Sequence, residues 1–354
     1  MQSSIRQGRR IILSLQYLRA LAAVGVVLFH QFQNVSPIFI LGKYGVGLFF
    51  IISGIIMVSL TEGRAIKPLN FFIDRLTRVA PMYWIATFIT FILGCVGIYS
   101  PSIYSHGIGH FILSCLFIPS LNEHGNMMPT LFIGWTLNYE MFFYLVFGAL
   151  LLIQGRYRLI VLAMIFLSLA LCGVIFPQAP DLVHFYTSPY LLEFLAGCCL
   201  GAIFGLDLMK LRAWPTVALI AAVIIAMAGL GFVFPLLWTG AATVLLVATF
   251  MWAERRGYAP SFPLALMLGN ASYSIYLFQQ IAFDATQTAL RLLHYRPGLH
   301  TIPTRCVAVL LAILTGIAVY RFIETPLTKT IRRALDVSRG ASNSSSKTAA
   351  TARI

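Results

Sequence analysis

Charged residues are scarce in this sequence of 354 residues: Asp, Glu, Lys and Arg make up only 10%, whereas hydrophobic residues make up 59%. A soluble globular protein has about a quarter of its residues charged. The composition therefore excludes an ordinary soluble domain and predicts a polytopic membrane protein. Acidic residues are especially few, with 11 Asp and Glu against 25 Lys and Arg, which leaves a net charge of +14.

This basic excess does not indicate a nucleic-acid partner. The basic residues lie in short clusters between apolar runs, such as Arg9–Arg10 and Arg255–Arg256, and no basic segment is long enough to form a groove. Clusters of this kind are typical of the cytoplasmic loops of membrane proteins. We therefore expect the lipid bilayer, and no nucleic acid, as a partner.

Cysteine chemistry and targeting signals are also missing. None of the six cysteines forms a C-x-x-C pair, so we expect neither disulfides nor a metal site. The first apolar run follows "IRQGRR" but lacks a small-residue cleavage site, which predicts a retained first span rather than a cleaved signal. No internal repeat and no second soluble domain is evident.

What the sequence has is a series of long apolar runs. A transmembrane helix needs roughly 20 apolar residues, and the sequence predicts an all-α bundle of about ten such helices. These predicted spans are 11–32, 42–60, 82–99, 131–153, 157–176, 188–205, 213–232, 234–252, 264–286 and 303–323.

The remaining segments complete the predicted topology. The run "FILSCLFIPS" at 111–120 is too short to cross a membrane and is interpreted as re-entrant or interfacial. Lys and Arg are concentrated in alternate loops, which predicts that both termini are cytoplasmic. Residues 336–354 form a polar tail that we expect to be disordered.

Two polar residues interrupt the first predicted span. Arg19 and His30 are eleven residues apart, which brings them within ~20° of the same helix face and ~16 Å apart along the axis. An Arg could bind phosphates of a long anionic molecule, while a His could take a proton from a hydroxyl near neutral pH. The alternative is that both only bond to neighbouring helices.

Two further arginines precede the third predicted span. Arg75 and Arg78 are three residues apart and so share a helix face, next to Pro81 at the expected cytoplasmic interface. A guanidinium pairs with phosphate in a bidentate manner, which makes both candidates for phosphate binding. Ordinary topology charges that contact lipid headgroups explain the pattern equally well.

One carboxylate lies within the fourth predicted span. Glu140 is the only acidic residue in that span, where an unpaired charge would be costly. Its expected depth matches that of His30, so we predict that Glu140 orients and stabilises the His30 imidazole. A structural ion pair with an arginine is the alternative. Polar residues at helical spacing in the ninth span, Tyr273, Tyr276 and Gln279, are weaker candidates for substrate contacts.

These motifs together resemble a known family, the integral-membrane acyltransferase family 3, and within it the exopolysaccharide-production acetyltransferases. Six blocks occur in the family's order across almost the whole chain. They are the Arg19/His30 pair, "GVGLFFIISG", "RLTRVAPMYW", "WTLNYEMFFY", "SYSIYLFQ" and the terminal "ETP".

The resemblance implies a membrane acyltransferase domain over 1–335, in the cell inner membrane. It implies transfer of an acetyl group from cytoplasmic acetyl-CoA, a substrate rather than a bound cofactor, to a sugar hydroxyl of a lipid-linked or nascent polysaccharide. Other exopolysaccharide-assembly proteins are further expected partners. The family's catalytic histidine corresponds to His30 and its acidic residue to Glu140, while its arginines correspond to Arg19, Arg75 and Arg78.

The chain departs from the family pattern at two positions. Asp74 stands beside Arg75 where many members have a second arginine, and Gln279 stands where many have histidine. Transfer directly with His30 as base and transfer through an acylated His30 are both compatible with the pattern. Two other functions also remain open: a transporter or flippase for a lipid-linked glycan, and an acyltransferase for succinyl or longer groups.

Overall fold

The computed structural model describes residues 13–97, 107–122, 125–205, 235–258, 260–295 and 301–337, and within these ranges the chain is helical, with no strand. The helices are α1 (Leu13–Phe32), α2 (Gly45–Thr61), α3 (Pro68–Cys95), α4 (Ile108–Cys115), α5 (Trp135–Ala149), α6 (Gly155–Ile175), α7 (Asp181–Tyr186), α8 (Tyr190–Gly205), α9 (Pro235–Arg255), α10 (Pro263–Leu292) and α11 (Ile302–Val319). Short 3₁₀ helices precede α2 (Pro37–Tyr44) and flank α5 (Phe132–Gly134 and Leu150–Leu152), and a π-helical turn, Tyr320–Glu324, follows α11.

The all-α prediction is confirmed for the described residues, and seven helical segments there are long and apolar enough to cross a membrane. They contain α1, α2, α3, α5, α6, α8 and α11. The eighth and ninth predicted spans coincide with α9 and α10, which are not among those seven. The seventh predicted span, 213–232, lies outside the described residues, so the total of ten and the cytoplasmic termini stay predictions.

The third predicted span began at the wrong residue. The predicted span starts at residue 82, directly after Pro81. Helix α3 instead begins at Pro68 and continues through Pro81 to Cys95. Pro68 lies in the first turn of the helix, where a proline removes no helical hydrogen bond. Pro81 lies inside the helix, and packed membrane helices tolerate an internal proline because neighbouring groups satisfy the freed backbone atoms. Arg75 and Arg78, predicted to share a helix face at the interface, therefore lie inside this same long helix.

The segment 111–120 contains the end of a short helix. Helix α4 has 8 residues and ends at Cys115, too few to cross a bilayer, as predicted. It is tied to α3, because Tyr83 donates a hydrogen bond to the Ser114 carbonyl over 3.1 Å and Trp84 Nε1 donates to the Cys115 carbonyl over 2.8 Å. The predicted disordered tail lies outside the described residues from residue 338 onward.

Helices α2 and α8 run in the same direction, and their backbones approach most closely at glycine residues. A Cβ atom on Gly54 would lie 2.7 Å from the Cys198 backbone nitrogen, and one on Gly201 would lie 3.0 Å from the Ile55 carbonyl oxygen. Small residues let two helix backbones approach this closely, which is a usual way to pack membrane helices. Within "GVGLFFIISG", Gly47 and Gly54 thus lie against α8, whereas Gly45 lies against Ala22 of α1.

Helix α1 is held at its first turn by two other helices. Glu254, at the end of α9, accepts hydrogen bonds from the backbone nitrogens of Leu13 and Ser14, each over 2.9 Å, and from the Ser14 hydroxyl. A carboxylate at this position satisfies the free N–H groups of a helix start and complements its dipole. We call this end of the bundle, marked by Leu13, the proximal end, and the opposite end, marked by His30, the distal end.

Hydrogen bonds at the proximal end also set the direction of α10. The Tyr17 hydroxyl donates to the Pro260 carbonyl over 2.5 Å and accepts from the Phe262 backbone nitrogen over 3.0 Å. Helices α1 and α10 thus start together and run parallel. This arrangement places polar residues of both helices along one side of a shared cavity.

Candidate active site

A cavity of about 100 Å³ lies between α1, α2, α3, α5, α10 and the π-helical turn. Its wall is mixed: α2 and α5 contribute most of the apolar side chains, whereas charged and phenolic side chains come from α1, α3, α5, α10 and the π-helical turn. The polar lining residues are Arg19, Ser53, Arg75, Arg78, Thr136, Glu140, Tyr144, Tyr273, Tyr276 and Glu324. Among the described residues, no group of three or more His, Cys, Asp or Glu is placed to hold a metal ion.

Three arginines from two helices converge on the cavity. Arg19 comes from the second turn of α1, and Arg75 and Arg78 come from one face of α3, all nearer the proximal end. Arg19 lies close enough to Arg78 for the two positive charges to repel each other. The Nε atom of Arg75 is buried and has no hydrogen-bond partner. A buried guanidinium donor without a partner marks a place where an anion would be stabilised.

Two carboxylates face the arginines. Glu324 accepts a hydrogen bond of 2.6 Å from the Ser274 hydroxyl and interacts electrostatically with Arg19 and Arg78. Glu140 interacts electrostatically with Arg19 and with Arg75. Three guanidinium groups against two carboxylates leave the lining with one excess positive charge. The cavity is therefore suited to a negatively charged ligand.

The Glu140 carboxylate is held in place by its own side of the cavity. Its Oε1 accepts hydrogen bonds from the Tyr144 hydroxyl over 2.5 Å and from the Ser53 hydroxyl over 3.1 Å. Tyr144 follows Glu140 by one turn of α5, and Ser53 belongs to α2. The carboxylate is thus fixed at the contact between two helices, facing the arginines.

The two candidate tyrosines of α10 line the cavity, and both hydroxyl groups are already bonded within the protein. Tyr273 donates to the Val79 carbonyl over 2.7 Å, which joins α10 to α3. The Tyr276 hydroxyl donates to the Ile133 carbonyl over 3.0 Å and pairs with Thr136 Oγ1 over 2.9 Å. In this structure the two rings form walls, and their hydroxyls fix α10 against α3 and α5.

His30 and Gln279 do not line this cavity. The half-buried His30 ring contacts the Phe29 ring, with 5.1 Å between centroids, and the edge of the Phe132 ring at 6.2 Å. Gln279 is fully buried, and its Nε2 donates to the Tyr276 carbonyl over 3.0 Å while its Oε1 has no partner. Phe132 directly precedes Ile133, so His30 lies beyond the distal end of the cavity, on the side of Tyr276.

The direct pairing of His30 with Glu140 is not present in this structure. His30 packs beside Phe132, which precedes Glu140 by eight residues, or ~12 Å along a helix. Glu140 instead bonds to Tyr144 and faces the arginines. The sequence does not define the depth of either side chain closely enough to predict this contact, because one helical turn shifts a residue by ~5 Å. The catalytic role of His30 stays a prediction.

Four polar residues of the cavity, Ser53, Thr136, Tyr144 and Glu324, were not predicted as site residues, and two of them bear on its charge and hydrogen bonding. Glu324 reaches it because the chain forms a π-helical turn at Tyr320–Glu324, and such turns redirect side chains and occur often at functional sites. Tyr144 was missed because an aromatic residue in an apolar span resembles core packing. Glu324 could have been predicted as a site residue from the terminal "ETP" block. Tyr144 could have been predicted from its place one helical turn after Glu140.

Comparison with known proteins identifies the family of the chain. The model of an acyltransferase domain, that of acyltransferase family 3, matches residues 12–321. The chain belongs to this family, as the sequence motifs predicted, and it is an acyltransferase built on membrane-length helices.

Two curated relatives cover most of the chain. The exopolysaccharide production protein ExoZ of Rhizobium meliloti is 34% identical over 308 residues, which are 85% of this chain and 94% of the relative. The peptidoglycan O-acetyltransferase OatA of Listeria monocytogenes is 24% identical over 93% of this chain, which spans 58% of that relative. No solved structure matches the chain.

Proposed function

We propose that the protein is an O-acetyltransferase of the cell inner membrane that moves an acetyl group from acetyl-CoA to a sugar hydroxyl of an exopolysaccharide or a related surface glycan. The names of the two relatives, an exopolysaccharide production protein and an O-acetyltransferase, support the acetyl group and the glycan acceptor. Family membership supports acyl transfer over a transporter or flippase function.

The observation that carries the proposal is the arginine cluster in the cavity. CoA has a pyrophosphate and a 3′-phosphate, and Arg19, Arg75 and Arg78 supply guanidinium groups that bind phosphate in a bidentate manner. The unpartnered Nε of Arg75 gains a hydrogen bond when a phosphate oxygen arrives. In our proposal the proximal end faces the cytoplasm, where acetyl-CoA is available.

The rest of the cavity fits the uncharged part of the donor. Val46, Phe49 and Leu137 form an apolar wall between the arginines and the Thr136–Tyr276 pair at the distal end. A phosphate bound at the arginines directs the pantetheine arm along this wall. The thioester is then delivered towards Tyr276 and Phe132, the aromatic neighbour of His30.

His30 is assigned the proton transfer. The acceptor hydroxyl gives its proton to the imidazole while its oxygen attacks the thioester carbonyl carbon. The tetrahedral intermediate collapses, the C–S bond breaks, and the CoA thiolate takes the proton back from the imidazolium. No net proton is gained or lost by the enzyme. General-base assistance of this kind contributes a factor of ~10²–10⁴.

Mass spectrometry of the surface polysaccharide tests the proposal in cells. Deleting the gene should remove the mass of one acetyl group from each modified repeat and leave the amount of polymer unchanged, and the wild-type gene should restore it. Loss of the polymer from the surface without a change in its acetylation would indicate a flippase instead. Loss of a succinyl or longer group would retain acyl transfer and change the donor.

A further inference from the structure

A second group of aromatic rings lies at the distal end, apart from the arginines. Trp135 begins α5 and Tyr190 begins α8, and their half-buried rings are 5.3 Å apart between centroids with a tilt of 49°. Behind them Tyr139 stacks on Phe185 at 4.0 Å with 10° between the planes. The buried pair supports the partly exposed pair, so Trp135 and Tyr190 form a rigid aromatic platform.

The platform is continuous with the cavity wall. Phe50, which lines the cavity, packs edge-to-face against Tyr190 at 5.7 Å and against Tyr139 at 6.2 Å. Thr136 and Leu137, which follow Trp135 directly, also line the cavity. A ligand on the platform would thus be next to the distal end of the cavity, where the thioester is expected.

An unpartnered carboxylate lies one helical turn from the platform. Glu193 is three residues after Tyr190 on α8, is 4% exposed, and has no hydrogen-bond partner at Oε2. It fits only because Gly47 of α2 has no side chain: a Cβ atom there would lie 2.7 Å from Glu193 Oε1 and 2.8 Å from Oε2. Glu193 is also near enough to Tyr190 to interact with it electrostatically.

A buried carboxylate oxygen without a donor is costly, because it loses its water without gaining a hydrogen bond. A ligand that donates a hydrogen bond to this oxygen would offset the cost. The ligand must therefore carry hydroxyl groups and also an apolar face that packs on aromatic rings. A pyranose ring has both features, since its axial C–H bonds form an apolar face and its hydroxyls lie at the edge.

We propose that Trp135, Tyr190 and Glu193 form the subsite that holds the acceptor saccharide. The sugar ring packs on the platform, and one hydroxyl donates to Glu193 Oε2. This inference rests on the proposed function and adds the residues that bind its acceptor. It separates the acceptor from the phosphates of the donor, because the arginines line the proximal part of the cavity and the platform adjoins its distal end.

Binding to the purified full-length protein in detergent tests the subsite without requiring turnover. Calorimetry would use tetrasaccharides of glucose, galactose and N-acetylglucosamine as probes, and acetyl-CoA as the donor. We expect Trp135→Ala and Glu193→Gln each to weaken binding of the best wild-type tetrasaccharide about tenfold or more, because the first removes a stacked ring and the second removes the Oε2 acceptor. Acetyl-CoA affinity should stay within twofold.

Two substitutions distant from the platform serve as matched controls. Trp252, exposed near the proximal end of α9, tests the loss of a tryptophan, and Glu62, exposed after α2, tests the loss of a carboxylate. Trp252→Ala and Glu62→Gln should leave saccharide binding unchanged. Trp135→Phe keeps an aromatic ring and should bind the saccharide more tightly than Trp135→Ala. This comparison distinguishes the loss of ring stacking from a folding defect.

The outcomes distinguish the subsite from the proposed function. No binding of any tetrasaccharide to the wild type, or equal binding by wild type and both variants, would overturn the subsite even if acetyl transfer is found. Weakened acetyl-CoA binding in Trp135→Ala would also overturn it and place the donor on the platform. If saccharide binding follows the prediction but no acetyl group is transferred, the proposed function fails and the saccharide site stands.

Discussion

Tyr144 and Glu140, one turn apart on α5, are joined by a hydrogen bond of 2.5 Å in which the tyrosine hydroxyl donates to Oε1. Ser53 of α2 donates to the same oxygen over 3.1 Å. These two bonds fix the carboxylate at the side of the cavity that faces Arg19 and Arg75. Glu140 thus acts as a counter-charge of the arginine cluster.

Replacing Glu140 by Gln tests this assignment. The amide keeps the size of the side chain but removes one negative charge beside the arginines. We expect acetyl-CoA to bind more tightly, by a factor on the order of ten, because a unit charge several ångströms away is worth ~1–3 kcal/mol at an effective dielectric constant of about 20. The ligand-free protein should unfold at a lower temperature, because its arginines lose a counter-charge.

The His30–Glu140 pairing predicted from the sequence leads to a different expected result for Glu140→Gln. If Glu140 served His30, the Gln variant would bind acetyl-CoA as the wild type does, but its turnover would fall and its pH profile would shift. Unchanged affinity with a changed pH profile would therefore restore the His30–Glu140 pairing. Calorimetry and a pH series on one protein preparation give both readouts.

Arg75→Lys should weaken acetyl-CoA binding about tenfold or more. Lysine keeps the charge but lacks the Nε–H group and the planar fork that pairs with phosphate. Because the Nε donor of Arg75 has no partner within the protein, its loss should not lower the melting temperature of the ligand-free protein. Arg64→Lys, in the exposed loop after α2, is the matched control and should change neither quantity. Equal acetyl-CoA affinity in wild type and Arg75→Lys would remove Arg75 from the donor site.

His30→Ala should abolish acetyl transfer while acetyl-CoA still binds. The loss should be ~10²–10⁴-fold, the usual contribution of a general base. His184→Ala is the control, since His184 bonds through Nε2 to the Pro177 carbonyl over 2.8 Å and lies on another helix. A His30→Ala enzyme that keeps more than about a tenth of wild-type turnover would show that His30 is not the base.

Gly54→Ala should destabilise the bundle by about 1–3 kcal/mol, because the added methyl group would be forced against the α8 backbone at Phe194 and Cys198. Gly155→Ala, at the start of α6, is the matched control because a Cβ atom there meets nothing within 4 Å. Thermal unfolding in detergent compares the two. Equal melting temperatures would mean that α2 and α8 are not in close contact at Gly54.

The sequence predicts helices better than it predicts their ends. Apolar runs locate α1, α2, α5, α6 and α8 to within a few residues, because a span needs about 20 apolar residues. The start of α3 was missed, because Arg75, Arg78 and Pro81 are typical of an interface and not of a helix interior. The helix continues through them and packs against α4, α5 and α10.

The same limit applies to the site. Arg19, Arg75, Arg78 and Glu140 were predicted as site residues, and the structure brings them to one cavity. In the structure Glu140 bonds to Tyr144 and Ser53, whereas the predicted pairing with His30 depends on the relative depth of two helices, which the sequence does not define. The position of Glu324 depends on a π-helical turn, which hydrophobic periodicity does not reveal.

The most direct test of the account is acetyl transfer by the purified protein in detergent, with acetyl-CoA labelled in the acetyl group, a tetrasaccharide acceptor and no membrane gradient. The account predicts that label appears on the saccharide in equal amount to the CoA released, and that dephospho-CoA competes less well than CoA. Saccharide binding without any transfer of label or release of CoA, by a protein that is folded and stable, would contradict it.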